Sequence, residues 1–137
     1  MTPTLDHDGL YLGLISGTSA DGIDAALVRF HDRDGGGTGA ELHFGRTYPW
    51  PEDLRAQLLE LGQRGAMLSL DDIGTLDIRV ARRFADAAMA AMADAGVRPD
   101  EVAAIGSHGQ TLRHRPLGEH PFSLQLGDAG VIAGRCG

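Results

Sequence analysis

Apolar positions in the first third of the chain follow the two-residue period of β-strands. Two apolar runs, residues 10–15 and 25–30, are bounded by turn residues and predict a pair of strands. Residues 42–48 alternate between mostly apolar positions and polar or glycine positions, which predicts a third strand. Residues 31–39 are nearly all turn formers and predict a mobile surface loop. This part of the chain should therefore form three antiparallel strands.

The middle of the chain changes to the period of a helix. Pro51 suits a first helical turn, and three leucines spaced by four and three residues continue the helix to Gln63. A longer helix is predicted from Ser69, which stands three residues before Asp72 in the spacing of a capping box, to a stop at Gly96. Its apolar stripe consists of Ile73, Leu76, Val80, Phe84, Ala88, Ala91 and Ala95. The alanine-rich second half predicts close packing against a sheet.

The last third of the chain predicts two strands and a helix. Residues 102–105 form a short apolar run and predict a buried strand parallel to the first. Residues 106–111 follow at its carboxyl end, where ligands bind in open α/β sheets. Residues 122–126 alternate like a strand, and 129–135 predict a final helix. The fold class predicted is α/β with a mixed sheet and packed helices.

Composition and charge restrict the functional classes. The chain has 137 residues, room for one domain, and a net charge of -7 with 12 scattered basic residues. Nucleic-acid binding needs a basic footprint, so we expect no nucleic-acid partner. All basic residues are arginine, which excludes mechanisms that need a lysine against a phosphate or in a Schiff base. Cys136 is the only cysteine, so no internal disulfide or thiolate metal cluster can form.

The sequence also carries information about location. No apolar run is long enough to cross a bilayer, and Asp6 and Asp8 stand where a secretory signal would be basic. We therefore expect a soluble, cytoplasmic protein without a membrane partner.

Residues 15–24, which read Ile-Ser-Gly-Thr-Ser-Ala-Asp-Gly-Ile-Asp, are the most informative stretch. Gly17 and Gly22 should permit a positive φ and let a ligand approach the backbone, and successive amides in such a turn form an anion-binding concavity. Asp21 and Asp24 suit a phosphate only when a divalent cation such as Mg²⁺ is also present. The alternative is a tight hairpin whose polar side chains satisfy only turn backbone groups.

Three segments resemble, in order, the signatures of the anhydro-N-acetylmuramic acid kinase family. They are residues 13–24, 104–116 and 121–135, so the resemblance spans nearly the whole chain. The element order also resembles the first half of the ribonuclease H-like lobe of sugar kinases, actin and heat-shock ATPases. The resemblance implies that residues 1–137 are a single N-terminal lobe of a longer two-lobe kinase, truncated before the second lobe.

The resemblance implies an ATP-dependent enzyme of cell-wall recycling. Such kinases open 1,6-anhydro-N-acetylmuramic acid with water and phosphorylate O6, giving N-acetylmuramic acid 6-phosphate and ADP. The implied cofactors are ATP and Mg²⁺, the implied substrate is the anhydro amino sugar, and a homodimer is left open. The family's general-base aspartate is expected beyond Gly137, so no catalytic residue is expected in this chain and the isolated chain should lack activity.

The resemblance also assigns binding roles to individual residues. Asp21 is implied to hold Mg²⁺, directly or through water. His108 and Gln110 are implied to bind hydroxyl or acetamido groups of the sugar, and Arg135 its lactyl carboxylate. The residues implied to bind the ATP phosphates are Gly17, Thr18, Ser19, Ala20, Asp21, Gly22, Ile23 and Asp24.

Several of these positions also have a structural interpretation. His108 could simply cap its loop, and Asp128 is more simply the N-cap of the final helix than a ligand. Arg113, His114 and Arg115 are left open between solvent and sugar. Successive histidines from His108 onward are six residues apart, which matches no usual ligand spacing, so we expect no zinc site.

Two other functions fit part of the sequence. A non-catalytic remnant that binds nucleotide or sugar, or serves as an interaction module, would retain the turn without the missing base. Another sugar kinase of the same fold would share the turn but would not explain residues 106–116. The family usually has Thr at the position of Cys136, so the third segment departs slightly from the pattern.

Overall fold

A computed structural model describes residues 9–64 and 66–137, so the prediction made from Asp6 and Asp8 lies outside the described residues. Within them the chain forms five strands and three α-helices, and a single 3₁₀ turn at Pro99–Glu101. In order these are β1 (Leu10–Ser16), β2 (Ile23–Asp32), β3 (Thr38–Tyr48), α1 (Glu52–Arg64), α2 (Leu70–Ala95), β4 (Val102–Arg115), β5 (Phe122–Leu126) and α3 (Ala129–Cys136).

The strands form one mixed sheet in the order β3-β2-β1-β4-β5. β1 pairs antiparallel with β2 and parallel with β4, while β2–β3 and β4–β5 are antiparallel pairs. Leu12 in the middle of β1 lies opposite Leu27 on one side and Ile105 on the other. This topology confirms the predicted α/β fold with antiparallel β1, β2 and β3.

One face of the sheet carries the core. Leu12 and Leu14 of β1 are buried, whereas Ile15 points to the opposite face and is 45% exposed. Phe84 of α2 is fully buried and meets the Trp50 ring edge-on, with the ring centroids 5.8 Å apart. Burial of each such large apolar side chain contributes about 1.5–3 kcal/mol.

The helix limits follow the predicted signals. The Ser69 side chain accepts a hydrogen bond from the Asp72 amide at 3.1 Å, and Gly96 ends α2 with a φ of 69°. Asp128 caps α3 by accepting from the Val131 amide at 3.0 Å, which confirms its structural interpretation. None of the described helices is long and apolar enough to cross a membrane.

The predicted loop at residues 31–39 was wrong in extent. β2 runs to Asp32 and β3 begins at Thr38, so the reversal occupies only 33–37, where the Arg33 amide donates to the Gly37 carbonyl at 2.9 Å. Cross-strand pairing extended the ladder through residues that locally favour turns. The apolar face predicted for β3 is also incomplete, because Leu42 is 66% exposed beyond a register shift between Leu27 and Val28.

The prediction of a short buried strand at 102–105 was wrong in two respects. Ala103 and Ala104 are exposed. β4 is 14 residues long and includes the Gly-Ser-His-Gly segment, which the sequence placed beyond the end of the strand. β1 pairs with the first part of β4, as far as Gln110, and β5 pairs with β4 from Gln110 to Arg115. The glycines are accommodated by a register shift between Leu14 and Ile15, next to Gly109 with a φ of 76°.

Two glycines of β4 form a matched test of this register. A Cβ on Gly109 would lie 2.3 Å from the Leu126 carbonyl oxygen, whereas a Cβ on Gly106 would meet nothing within 4 Å. We expect Gly109→Ala to lower the free energy of unfolding by about 2 kcal/mol or more, and Gly106→Ala to change it by less than about 0.5 kcal/mol. Urea unfolding measures both. Equal effects of the two substitutions would contradict the register.

Candidate functional site

Residues 17–22 connect β1 to β2, and we call them the β1–β2 turn. The Ala20 amide donates to the Gly17 carbonyl at 3.0 Å. Ala20, which is 1% exposed, takes a φ of 49°. The prediction that Gly17 and Gly22 adopt a positive φ was therefore wrong: the left-handed residue is Ala20, whose methyl group belongs to the core.

The two glycines of this turn have different roles. A Cβ on Gly22 would lie 2.3 Å from Cγ2 of Thr47, so Gly22 lets β3 pack against the turn. A Cβ on Gly17 would find its nearest neighbour, the Ser19 hydroxyl, at 3.9 Å. The backbone at Gly17 is thus open on the side from which a ligand could approach.

Three side chains from outside the turn hold it in place. Gln110 of β4 donates through Nε2 to the Gly17 carbonyl at 3.1 Å. Arg55 of α1 donates through Nε to the Ala20 carbonyl at 2.9 Å. The Trp50 indole N–H donates to the buried hydroxyl of Ser16, at the end of β1, at 3.1 Å. Side chains thus hold the carbonyls of Gly17 and Ala20, which lowers the cost of ordering the turn around an anion.

The two carboxylates of the predicted site have separate partners. The Asp21 side chain is 77% exposed and lies 3.3 Å from the Arg55 guanidinium. A hydrogen bond from Ser19, together with Arg55, lowers the pKa of Asp21. Asp24 accepts a hydrogen bond from the Thr47 hydroxyl. Asp21 is therefore an ionised and accessible oxygen donor at neutral pH.

The carboxylate of Asp21 meets part of what a hard divalent cation requires of its ligands. Among the described residues no group of three or more His, Cys, Asp or Glu side chains could hold a metal by themselves. Mg²⁺ usually takes one or two carboxylates and completes its shell with phosphate oxygens and water. Asp21 suits that single-carboxylate role because it is anionic and exposed.

A cleft of about 430 Å³ lies beside the β1–β2 turn, and we call it the turn cleft. The hydroxyl residues Thr18 and Ser19 line it together with Thr111, His114 and Arg115 of β4. Its remaining wall consists of Leu58, Leu59, Gly62 and Leu112. The structure thus brings the first and second sequence motifs to one cleft.

The sequence did not decide whether Arg113, His114 and Arg115 face solvent or the sugar, and the structure gives them different environments. His114 and Arg115 line the turn cleft. Arg113 instead donates to the Ala66 carbonyl at 3.2 Å, which ties β4 to the segment between α1 and α2.

The three residues implied to bind the sugar lie in three different environments. His108 is exposed on β4, with Nδ1 3.4 Å from the Gly109 carbonyl oxygen. Gln110 is 2% exposed, and its Oε1 has no hydrogen-bond partner within the described residues. Arg135 of α3 forms an ion pair with Asp86 at 2.8 Å, in a separate cleft.

Sequence reasoning missed Arg55, Trp50 and Thr47, which all contact the turn or the end of β1. Arg55 and Trp50 lie more than thirty residues from their partners. Their sequence neighbourhood marks only the start of α1. The one available signal was the tryptophan itself, because a buried indole usually requires an acceptor for its N–H.

The fold and this site together define a class of protein. A five-stranded mixed sheet with the order β3-β2-β1-β4-β5, with a polar turn between its first two strands, corresponds to the N-terminal lobe of a sugar-kinase fold. The family model for anhydro-N-acetylmuramic acid kinase matches residues 9–137. The chain belongs to this family.

Curated relatives agree with the family assignment. An anhydro-N-acetylmuramic acid kinase of Xanthomonas campestris pv. campestris (strain 8004) is 51% identical over 135 residues, which cover 98% of this chain and 35% of the relative. The relative from Xylella fastidiosa is 52% identical over 90% of this chain and 32% of its own length. One from Vibrio vulnificus (strain YJ016) is 48% identical, with 92% and 32% covered. The chain spans about a third of the length of these relatives.

The carboxylate environment gives one prediction. We expect Ser19→Ala to raise the pKa of Asp21 towards its ordinary value of 3.8, because the Ser19 hydrogen bond is the largest cause of the lowered pKa. A carbon-13 NMR titration of the side-chain carboxyl measures this pKa. Thr18→Ala is the matched control, since it removes a neighbouring hydroxyl that does not act on Asp21. An unchanged pKa in the Ser19 variant would contradict the assignment.

The contact between Gly22 and Thr47 gives a second prediction. We expect Gly22→Ala to lower the free energy of unfolding by about 1–3 kcal/mol, because the new methyl group overlaps Cγ2 of Thr47. Thr47→Ser removes Cγ2 but retains the hydroxyl that donates to Asp24. The double variant should therefore recover part of the loss in denaturant unfolding, and the remainder comes from the Tyr48 carbonyl oxygen, 3.1 Å from the new Cβ. Additive losses in the double variant would show that this overlap is not the cause.

Proposed function

We propose that the β1–β2 turn binds the phosphates of ATP and that the chain is part of an ATP-dependent kinase for 1,6-anhydro-N-acetylmuramic acid. In the proposed reaction water opens the anhydro ring and O6 receives the phosphoryl group, giving N-acetylmuramic acid 6-phosphate and ADP. The single observation that carries the proposal is the ionised, exposed Asp21 in the same turn as Thr18 and Ser19, which line the turn cleft. The family assignment supports the class of reaction.

The residues of the turn would act mainly by position and charge, as phosphoryl transfer requires. Backbone amides of the turn other than that of Ala20, which donates to the Gly17 carbonyl, would be donors for phosphate oxygens, together with the hydroxyl of Thr18. Ser19, whose hydroxyl donates to Asp21, would contribute its amide. Asp21 would hold Mg²⁺, which when bound neutralises part of the phosphate charge. Arg55 fixes both the Asp21 carboxylate and the Ala20 carbonyl, so it acts as a positioning residue. Asp24 and Ile23 begin β2 and anchor the far side of the turn.

The sugar side of the proposal rests on β4. His108 is exposed and can donate to hydroxyl or acetamido groups. We propose that Gln110 contributes by bracing Gly17, because its amide is buried against that carbonyl. His114 and Arg115 share the turn cleft with the hydroxyls of the turn. Arg135 would bind the lactyl carboxylate only by exchanging its present partner Asp86.

The rest of the enzyme is also part of the proposal. Relatives are about three times as long as the matched region, and we propose that their further segments supply a second lobe and the general-base aspartate. The chain alone should then make no N-acetylmuramic acid 6-phosphate. We propose a cytoplasmic location. A non-catalytic binding module is the competing function, and the activity test below separates the two.

The test is a substitution in a polypeptide that spans the full length of the relatives. We expect Asp21→Asn to lower turnover at saturating ATP by about 100-fold or more, because the carboxylate acts where phosphate charge is neutralised. Binding of the anhydro sugar, measured by calorimetry, should change by less than about threefold. A coupled assay for ADP measures turnover.

Arg98→Ala is the matched control, since Arg98 is an exposed arginine at the N-cap of the 3₁₀ turn, outside the turn cleft. Its turnover should equal that of the unsubstituted enzyme. Full turnover in the Asp21 variant would remove this residue from the mechanism. No turnover in the unsubstituted full-length enzyme would favour the non-catalytic module.

A further inference from the structure

A second polar cleft, of about 360 Å³, lies where the start of α1 meets α2 and the end of α3. It is lined by Pro51, Asp53, Leu54, Arg79, Arg82, Arg83, Asp86 and Arg135. We call it the arginine cleft. It shares no lining residue with the turn cleft. Of its lining residues, the proposed function gives a role only to Arg135.

The charge of this cleft opposes that of the chain. Four guanidiniums face two carboxylates, so two positive charges are left uncompensated in a chain with a net charge of -7. A third of the chain's 12 basic residues lie here. Opposite charge concentrated in a cleft raises the local concentration of anions.

The placement of the arginines on α2 is unfavourable unless an anion is near. Arg79, Arg82 and Arg83 are spaced by three and four residues, which puts them side by side on one helix face. Like charges at this spacing destabilise a helix. Asp86, one turn further on, offsets only part of this repulsion.

The ion pairs in the cleft leave binding capacity free. Asp53 lies 3.5 Å from Arg79, and Asp86 is shared between Arg83 at 3.3 Å and Arg135 at 2.8 Å. In the described part of the chain the Arg82 guanidinium forms no ion pair or side-chain hydrogen bond. The paired arginines are between 40% and 49% exposed, so their remaining N–H donors can reach a ligand.

We propose that the arginine cleft binds a small oxyanion with two or more negative charges. A guanidinium presents parallel N–H donors that match the paired oxygens of a phosphate or a carboxylate. Several such forks around one cleft suit a ligand with several anionic groups, the chemistry shared by a diphosphate and a tricarboxylate. Because the site is built from arginines rather than carboxylates, it needs no metal ion.

The experiment is a calorimetric titration of the 137-residue chain with inorganic pyrophosphate, in EDTA and at constant ionic strength. We expect one ligand to bind per chain. Arg82→Ala should weaken binding about tenfold or more, because it removes a charged hydrogen-bonding group without breaking an ion pair of the fold. The affinity of Arg82→Lys for pyrophosphate should lie between those of the unsubstituted chain and Arg82→Ala, since lysine retains the charge but lacks the paired N–H donors of a guanidinium.

Two controls locate the binding. Arg98→Ala removes an exposed arginine outside the cleft, and Asp21→Asn changes the proposed ATP site, so each should alter the dissociation constant by less than about twofold. A parallel titration with citrate identifies the source of the anionic groups. Pyrophosphate binding alone indicates a phosphate ligand, citrate binding alone indicates a carboxylate, and either result with this variant pattern supports the site.

Three outcomes would overturn the inference. They are no binding of either probe, equal weakening by Arg82→Ala and Arg98→Ala, and weakening by Asp21→Asn with none by Arg82→Ala. The last would assign the anion to the β1–β2 turn. The inference does not depend on turnover, so failure of the proposed kinase function would leave it standing.

Discussion

The hydrogen bond from the Gln110 amide to the Gly17 carbonyl links the two motifs on which the site depends. It forms because the register shift beside Gly109 places Gln110 opposite Ser16, with both side chains on the buried face of the sheet. Glycine is the residue type that fits at position 109, because φ is positive there and a Cβ would overlap the Leu126 carbonyl oxygen. A backbone irregularity in β4 thereby fixes the shape of a turn that is distant in sequence.

The same hydrogen bond, together with one from Arg55, helps a polar turn at the edge of the core to keep a strained residue in place. Ala20 is buried in a left-handed conformation, which costs an L-residue about 1 kcal/mol or more. Hydrogen bonds to its carbonyl from Arg55, and to that of Gly17 from Gln110, hold the strained conformation. The hydroxyls of Thr18 and Ser19 are left free of this task and line the turn cleft.

Sequence patterns predicted the elements better than their connections. The stripe of α2, its caps at Ser69 and Gly96, and the cap at Asp128 rest on local chemistry and were all confirmed. The failures came where pairing between distant segments overrode local preference, as in the glycine-rich part of β4. At the site, the turn residues were recognisable, but the partners of Asp21 and the location of Arg135 depend on tertiary packing.

A phosphate site in a chain without lysine faces a problem of charge. The Arg55 guanidinium pairs with Asp21 and donates to the Ala20 carbonyl, so a carboxylate already compensates its charge, unlike that of the lysine in a Walker loop. Backbone amides supply only partial charges, and Asp21 itself repels a phosphate. Under the proposed function Asp21 would hold a divalent cation, which would supply positive charge for the phosphate. His114 and Arg115 line the turn cleft together with Thr18 and Ser19, and under the same proposal they would share the remaining negative charge.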